Sequence, residues 1–164
     1  MLNEVIISRA KFEDLIDILN IQKEAFLSEA ELYNCYDVEP LTQTLESIQN
    51  DFNDYLFLKA EYHGEIVGSV KVKNNGDYCY IGKLIVPSKF QNKGIGRKLM
   101  TEAEKIFSNI KKYELFTGEK SIKNIKLYES LGYRIIETYP DDKVLGLVIV
   151  KMIKENIELH NKLN

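Results

Sequence analysis

A chain of 164 residues has the size of one domain and can bury a core without disulfide or metal staples. With 45% hydrophobic and 29% charged residues it reads as globular, and a formal charge of −3 offers no general attraction to nucleic acid. Cys35 and Cys79 lack metal-ligand spacing, no signal-peptide pattern opens the chain, and no apolar run reaches the ~20 residues of a membrane span, so a reducing cytoplasm is the expected setting.

Residues 4–9 (EVIISR) predict a short strand, and residues 11–30 place Phe12, Leu15, Ile16, Ile18, Leu19, Ile21, Ala25 and Phe26 close to helical spacing. The break at 34–40 gives way to a second helical stretch at 41–52, with Thr42 as its expected cap. Residues 55–62, 66–73 and 78–86 are rich in β-branched and aromatic types and are separated by His63-Gly64-Glu65 and Asn74-Asn75-Gly76-Asp77, which predicts an antiparallel meander. After Pro87 the period turns helical over 94–110, and a strand follows at 113–117; a strand, crossover helix and strand imply a parallel pair. A further helix is expected at 121–131, stopped by Gly132, then strands at 133–139 and 143–152 with Asp141-Asp142 in their hairpin. The expected architecture is α/β, a single domain at residues 1–153 around a mixed central sheet of about seven strands flanked by helices, with a polar tail at 154–164.

The segment richest in chemistry joins a strand to a helix: Leu84-Ile85-Val86-Pro87-Ser88-Lys89-Phe90-Gln91-Asn92-Lys93-Gly94-Ile95-Gly96-Arg97. Two glycines bring the backbone to a helix start, where N–H groups without intrahelical acceptors and the positive end of the dipole favour an anion. Lys93 and Arg97 add full charges. A dinucleotide fingerprint fits poorly, since Leu99 stands where the third glycine belongs, and no P-loop Gly-Lys-Ser/Thr is present.

A strand, Val-Pro, then Gln-x-x-Gly-x-Gly and an amphipathic helix resembles the acetyl-CoA-binding motif of the GNAT N-acetyltransferase superfamily. Asn124-Ile-Lys-Leu-Tyr128-Glu-Ser-Leu-Gly132-Tyr133 resembles that family's downstream helix, and the element order agrees over nearly the whole chain. The resemblance implies acetyl-CoA as cosubstrate with no metal, and a fourth and fifth strand that splay to admit the coenzyme. It further implies that Leu84, Ile85 and Val86 hold the pantetheine arm through their backbone. Gln91, Asn92, Lys93, Gly94, Ile95, Gly96 and Arg97 would cradle the pyrophosphate, and Asn124 would bind a pantetheine amide. Tyr128 would be the catalytic residue, a general acid or hydrogen-bond donor to the departing thiolate. Asn124 and Tyr128 stand four residues apart, on one helix face.

The expected reaction is acetyl transfer to a primary amine of a small molecule or peptide by direct attack in a ternary complex; the alternative is a non-catalytic acyl-CoA-binding regulatory domain. Nucleic-acid and membrane partners are not expected, and a homodimer is possible. An acceptor ammonium must lose a proton, yet residues 78–86 contain no carboxylate where many relatives carry one, offering Tyr80 and Lys83 instead. Glu119 beyond the fifth strand and Glu24, Glu29 and Glu31 in the first helical region are the candidate bases. The acceptor is expected between residues 25–41 and 139–143.

Overall fold

In the computed structural model, which describes residues 4–164, the chain runs β1 (Ile6–Arg9), a 3-10 turn (Phe12–Asp14), α1 (Leu15–Tyr33), α2 (Glu39–Thr42), α3 (Leu45–Asp54), β2 (Leu56–Tyr62) and β3 (Glu65–Asn74). It continues with β4 (Tyr78–Ile85), a 3-10 turn (Ser88–Phe90), α4 (Ile95–Ile106), β5 (Lys112–Gly118), α5 (Ile122–Ser130), β6 (Arg134–Pro140), β7 (Val148–Glu155) and α6 (Ile157–Leu163). The strands form one sheet in the order β1-β2-β3-β4-β5-β7-β6. All neighbours are antiparallel except β4 and β5. Among the described residues no helix is long and apolar enough to cross a membrane.

Each face of the sheet has its own core. Leu15, Ile18, Leu19, Gln22 and Ala25 are buried at three- and four-residue steps along α1, and the apolar ones pack with Ile48, Phe57, Ile66 and Ile85 on one face. Ile95, Leu99, Met100 and Ala103 of α4 pack on the other with Val70, Ile81, Leu115, Tyr128 and Met152. Met100 and Met152 have no exposed surface, so truncating either to Ala would cost about 2–5 kcal/mol.

The structure departs from the sequence reading at four boundaries. Pro40 seeds a one-turn helix, α2, that ends at the extended residue Gln43, so the cap of α3 is Thr44, whose hydroxyl accepts from Ser47 N at 3.1 Å, and not Thr42. The last strand begins at Val148, because the Asp141 carboxylate gathers the N–H groups of Lys143 and Val144 and Gly146 turns left-handed. The strand then passes its expected end at Met152: Ile153, Lys154 and Glu155 pair with Glu114, Tyr113 and Lys112 of β5. Asn156, 9% exposed, donates to the carbonyls of Ser108 and Ile110, and the Tyr113 hydroxyl donates to those of Glu104 and Phe107. These bonds satisfy carbonyl groups where α4 runs out, four residues short of the predicted end.

Candidate active site

The parallel pairing of β4 and β5 is brief. Tyr78, Cys79 and Tyr80 pair with Lys112, Tyr113 and Glu114, and beyond that register the strands part, although β4 continues to Ile85 and β5 to Gly118. The pairing of β3 with β4 is irregular near Ser69 and Lys71, and Lys83 takes a left-handed backbone at φ 45°, so the separation coincides with a local bulge in β4. Into the opening comes a cleft of about 830 Å³. Its walls are Leu84, Ile85 and Val86 of β4, the loop into α4, the start of α5, and the second half of α1.

The loop keeps the geometry suited to an anion. Asn92 and Gly94 are both left-handed, at φ 60° and 80°, the kind of backbone from which anion-binding concavities of peptide N–H groups are built. Gly94 is the residue before α4, and no side chain caps the helix there. Its first turn carries no acidic residue either. At Gly96 a β-carbon would stand 3.3 Å from Leu127 Cδ2 and 3.6 Å from Leu84 Cδ2, so the absent side chain also lets α4 approach α5 and β4.

Of the residues singled out from sequence, Leu84, Ile85, Val86, Gln91, Asn92, Gly94, Ile95, Gly96, Arg97 and Asn124 all line this one cleft. Lys93 lies in the loop but off the wall, whereas Lys120 and Lys123 line it. The Gln91 side chain turns back to donate its amide to the Val86 carbonyl at 2.9 Å, bracing the loop against β4. Arg97 donates to Ser130 Oγ at 2.6 Å, across to α5.

Tyr128, one turn beyond Asn124 on α5, is 6% exposed, packs edge-on against Tyr133 at 6.1 Å and is not itself on the wall. Burial pushes its phenol well above the ordinary range, and the charge of Glu29 and the neighbouring Tyr80 push the same way. It is therefore a protonated donor at any physiological pH.

The α1 contribution was only partly legible. Ala25, Phe26, Ser28, Glu29 and Leu32 line the cleft with Glu31. Ser121 Oγ donates to Glu29 Oε2, and the Tyr33 hydroxyl accepts the Lys120 N–H at 2.8 Å, so α1 is tied to the β5–α5 turn twice. The sequence signal available was Leu32, an apolar residue off the buried stripe of α1 and 48% exposed. Glu24 and Glu119, the other carboxylates weighed as bases, are exposed and do not line the cleft.

On β4 Tyr80 packs its ring against Tyr55 and Phe116, while Lys83 is engaged by polar partners. Burial drives the Tyr80 phenol up to about 12, and the nearby Tyr55, Glu39 and Asp51 reinforce the shift. Lys83 Nζ donates to Glu39 Oε1 at 2.9 Å and to the buried Gln43 Oε1 at 2.8 Å. Burial lowers the pKa of that ammonium, against the pull of Glu39. Gln43 in turn accepts from Gln22 Nε2 and donates to Asp51, which also receives Lys71.

A parallel pair that opens at its C-terminal end, onto a glycine-opened helix start, is a particular arrangement, and the family model described as acetyltransferase (GNAT) matches residues 15–133. The chain belongs to the GNAT family. Among solved structures, the PaiA N-acetyltransferase of Thermoplasma acidophilum in complex with coenzyme A superposes with a TM-score of 0.76 at 21% identity, covering 92% of this chain and 98% of that one. The ribosomal-protein-S18-alanine N-acetyltransferase of Escherichia coli gives 0.75 at 17% identity, covering 92% and 93%. YncA of Salmonella typhimurium, solved with its cofactor acetyl-CoA, gives 0.72 at 20%, covering 93% and 94%. These likenesses establish a shared GNAT fold. The UPF0157 protein YqkA of Bacillus subtilis is 25% identical over 122 residues, and the match covers 74% of this chain but only 35% of that protein.

Proposed function

We propose that this chain transfers the acetyl group of acetyl-CoA to a primary amine of a small molecule or peptide, by direct attack in a ternary complex. The observation that carries the reading is the parting of β4 from β5 beyond Tyr80 and Glu114, into a cleft walled by Leu84, Ile85 and Val86 at one side and by the uncapped start of α4 at the other. An unpaired strand stretch suits an extended amide-bearing arm, which would add to it as a further strand. The N–H groups at Gly94, Ile95 and Gly96 suit its pyrophosphate, with Lys120 and Lys123 supplying positive charge nearby.

Asn124 on the opposite wall would hold a pantetheine amide. Tyr128 would meet the thioester sulfur. Because its phenol is held protonated well above the ~8.5 of a thiol, its part is a hydrogen bond that strengthens as the thiolate forms, with proton delivery completing departure. A reducing cytoplasm suits the two free cysteines, since burial pushes the Cys79 thiol up to about 12 and leaves it inert.

Titration calorimetry with acetyl-CoA and a thiol-release assay over a panel of amines test the proposal. Binding together with amine-dependent thiol release is expected. Binding with no turnover on any amine would transfer the reading to an acyl-CoA-binding regulatory domain. No binding, and no thermal protection at millimolar acetyl-CoA, would remove the coenzyme from the cleft.

A further inference from the structure

We infer that Glu29, on α1, is the base that takes the proton from the acceptor ammonium, in place of the carboxylate that β4 lacks. This rests on the acetyl-transfer reading above. The chemistry requires such a group: an ammonium with a pKa of about 10.4 is neutral in only about one molecule in a few thousand at pH 7.

The carboxylates on the elements around β4 and β5 differ in what they already hold. Glu39 is paired with Lys83 at 2.8 Å and Asp51 with Lys71 at 3.2 Å. Glu114 is buried between Lys112 and Lys151, at 3.5 and 3.2 Å, and Glu104 holds Lys154 at 2.7 Å and Tyr133 at 2.9 Å. A carboxylate in a close ion pair is a poor proton acceptor. Glu31 lines the cleft but is exposed. Glu29 differs from all of these. It lines the cleft, is half-buried, has no cationic partner within 4 Å among the described residues, and accepts one hydrogen bond on Oε2 from buried Ser121. Ser121 therefore fixes the carboxylate through one oxygen and leaves Oε1 for the substrate.

Glu29 is also placed to act on the other half of the reaction. Its negative charge is one cause of the high proton affinity of Tyr128, which presents the only hydroxyl on α5 apart from the Ser130 held by Arg97. When Glu29 accepts the ammonium proton, that charge vanishes, and Tyr128 becomes a better donor as the sulfur needs one. The balance closes. The nitrogen sheds two protons as the N–C bond forms and the C–S bond breaks: one passes to Glu29 and then to water, the other balances the thiolate, which leaves as thiol by way of Tyr128. The titratable groups that feel the Glu29 charge are Tyr33 on its own helix, which also feels Glu119 and accepts the Lys120 backbone N–H, and Tyr128 on α5.

Glu29→Gln tests the assignment without threatening the fold, because the amide oxygen can still accept from Ser121. With an amine that wild type acetylates, kcat/KM at pH 7 should fall about 10²–10⁴-fold while the acetyl-CoA Kd stays within about threefold. The deficit should shrink as pH rises toward the amine pKa of about 10, where the substrate arrives already neutral and needs no base. A variant within about threefold of wild type at pH 7, or a deficit that is constant with pH, would overturn the role of Glu29 and leave acetyl transfer standing. A wild-type protein that binds acetyl-CoA and acetylates no amine would overturn both.

Discussion

The phenol of Tyr33 fills the space that a β-carbon on Gly118 would need, and its oxygen accepts the backbone N–H of Lys120 at 2.8 Å. The end of α1 is thereby seated on the end of β5, in the stretch beyond Glu114 where β4 no longer pairs with it. Together with the Glu29–Ser121 bond, this seats one wall of the cleft on the opposite one. The cleft is thus a product of α1 docking as much as of strand separation.

Gly118→Ala should consequently cost about 1–3 kcal/mol, since the added methyl meets the phenol oxygen and ring together and the helix end must shift. Removing the hydroxyl alone, in Tyr33→Phe, forfeits one bond to a partly solvated N–H and should cost about 0.5–1.5 kcal/mol. The double variant should cost less than the sum, because losing the oxygen removes the closest contact and leaves the methyl only the ring carbons at 3.1 and 3.2 Å. Chemical denaturation of the four proteins measures the coupling. Strict additivity would mean that the two residues do not share the space.

The glycines of the α4 loop separate by mechanism. Gly94, at φ 80°, needs its backbone freedom, so Gly94→Ala should lose about 1–2 kcal/mol of stability as well as coenzyme affinity. Gly96 has an ordinary backbone, and Gly96→Ala places a methyl 3.3 Å from Leu127, a contact that small movement relieves. It should weaken acetyl-CoA by about tenfold or less, whereas Gly96→Glu brings bulk and negative charge to the phosphate position and should weaken it by about a hundredfold or more. Calorimetric titration of the three variants decides this, and wild-type affinity in Gly96→Glu would place the pyrophosphate elsewhere.

Local signals carried much of this fold into the sequence. The β4–loop–α4 segment was legible because the period changes at Pro87 and glycines stand at the turn, and Gly132 ends α5 with φ 99° as a left-handed stop. Thr42 misled because Pro40, two residues earlier, closes a separate turn that residue type alone does not reveal. The last strand was misplaced because residues 143–147 are apolar enough for a strand, while the Asp141 carboxylate holds them in a turn. The contribution of α1 to the site was least legible. Glu29 meets Ser121 across 92 positions and Tyr33 meets Lys120 across 87, and no local pattern encodes such proximity.

Tyr128→Phe separates a chemical role from a packing one. The ring and its edge-on contact with Tyr133 are kept, and among the described residues the hydroxyl bonds to no protein group whose loss would weaken the fold. Melting temperature and acetyl-CoA affinity should be nearly unchanged while kcat falls about 10–10³-fold. An unchanged kcat would exclude Tyr128 from thiol departure.

Lys83 makes the stability of the fold depend on pH. Burial lowers its folded-state pKa below the ordinary 10.5, with Lys71 adding to the effect and Glu39 and Asp51 opposing it. Below the folded-state pKa both states carry the proton, and the folded state bears the cost of a desolvated ammonium. Between the folded and unfolded values the unfolded chain binds more protons, so stability rises with pH across that window. Lys83→Met removes the cost at every pH. It leaves Glu39 hydrated, at 61% side-chain exposure, and leaves Gln43 Oε1 its bond from Gln22. The variant should therefore be at least as stable as wild type at pH 7, and its advantage should narrow as pH approaches 10.5. Comparing the two proteins at each pH by urea denaturation cancels the titration of every other group they share. A difference that does not vary with pH would mean that the Lys83 ammonium is not depressed, and a variant markedly less stable at pH 7 would mean that its bonds to Glu39 and Gln43 outweigh its burial.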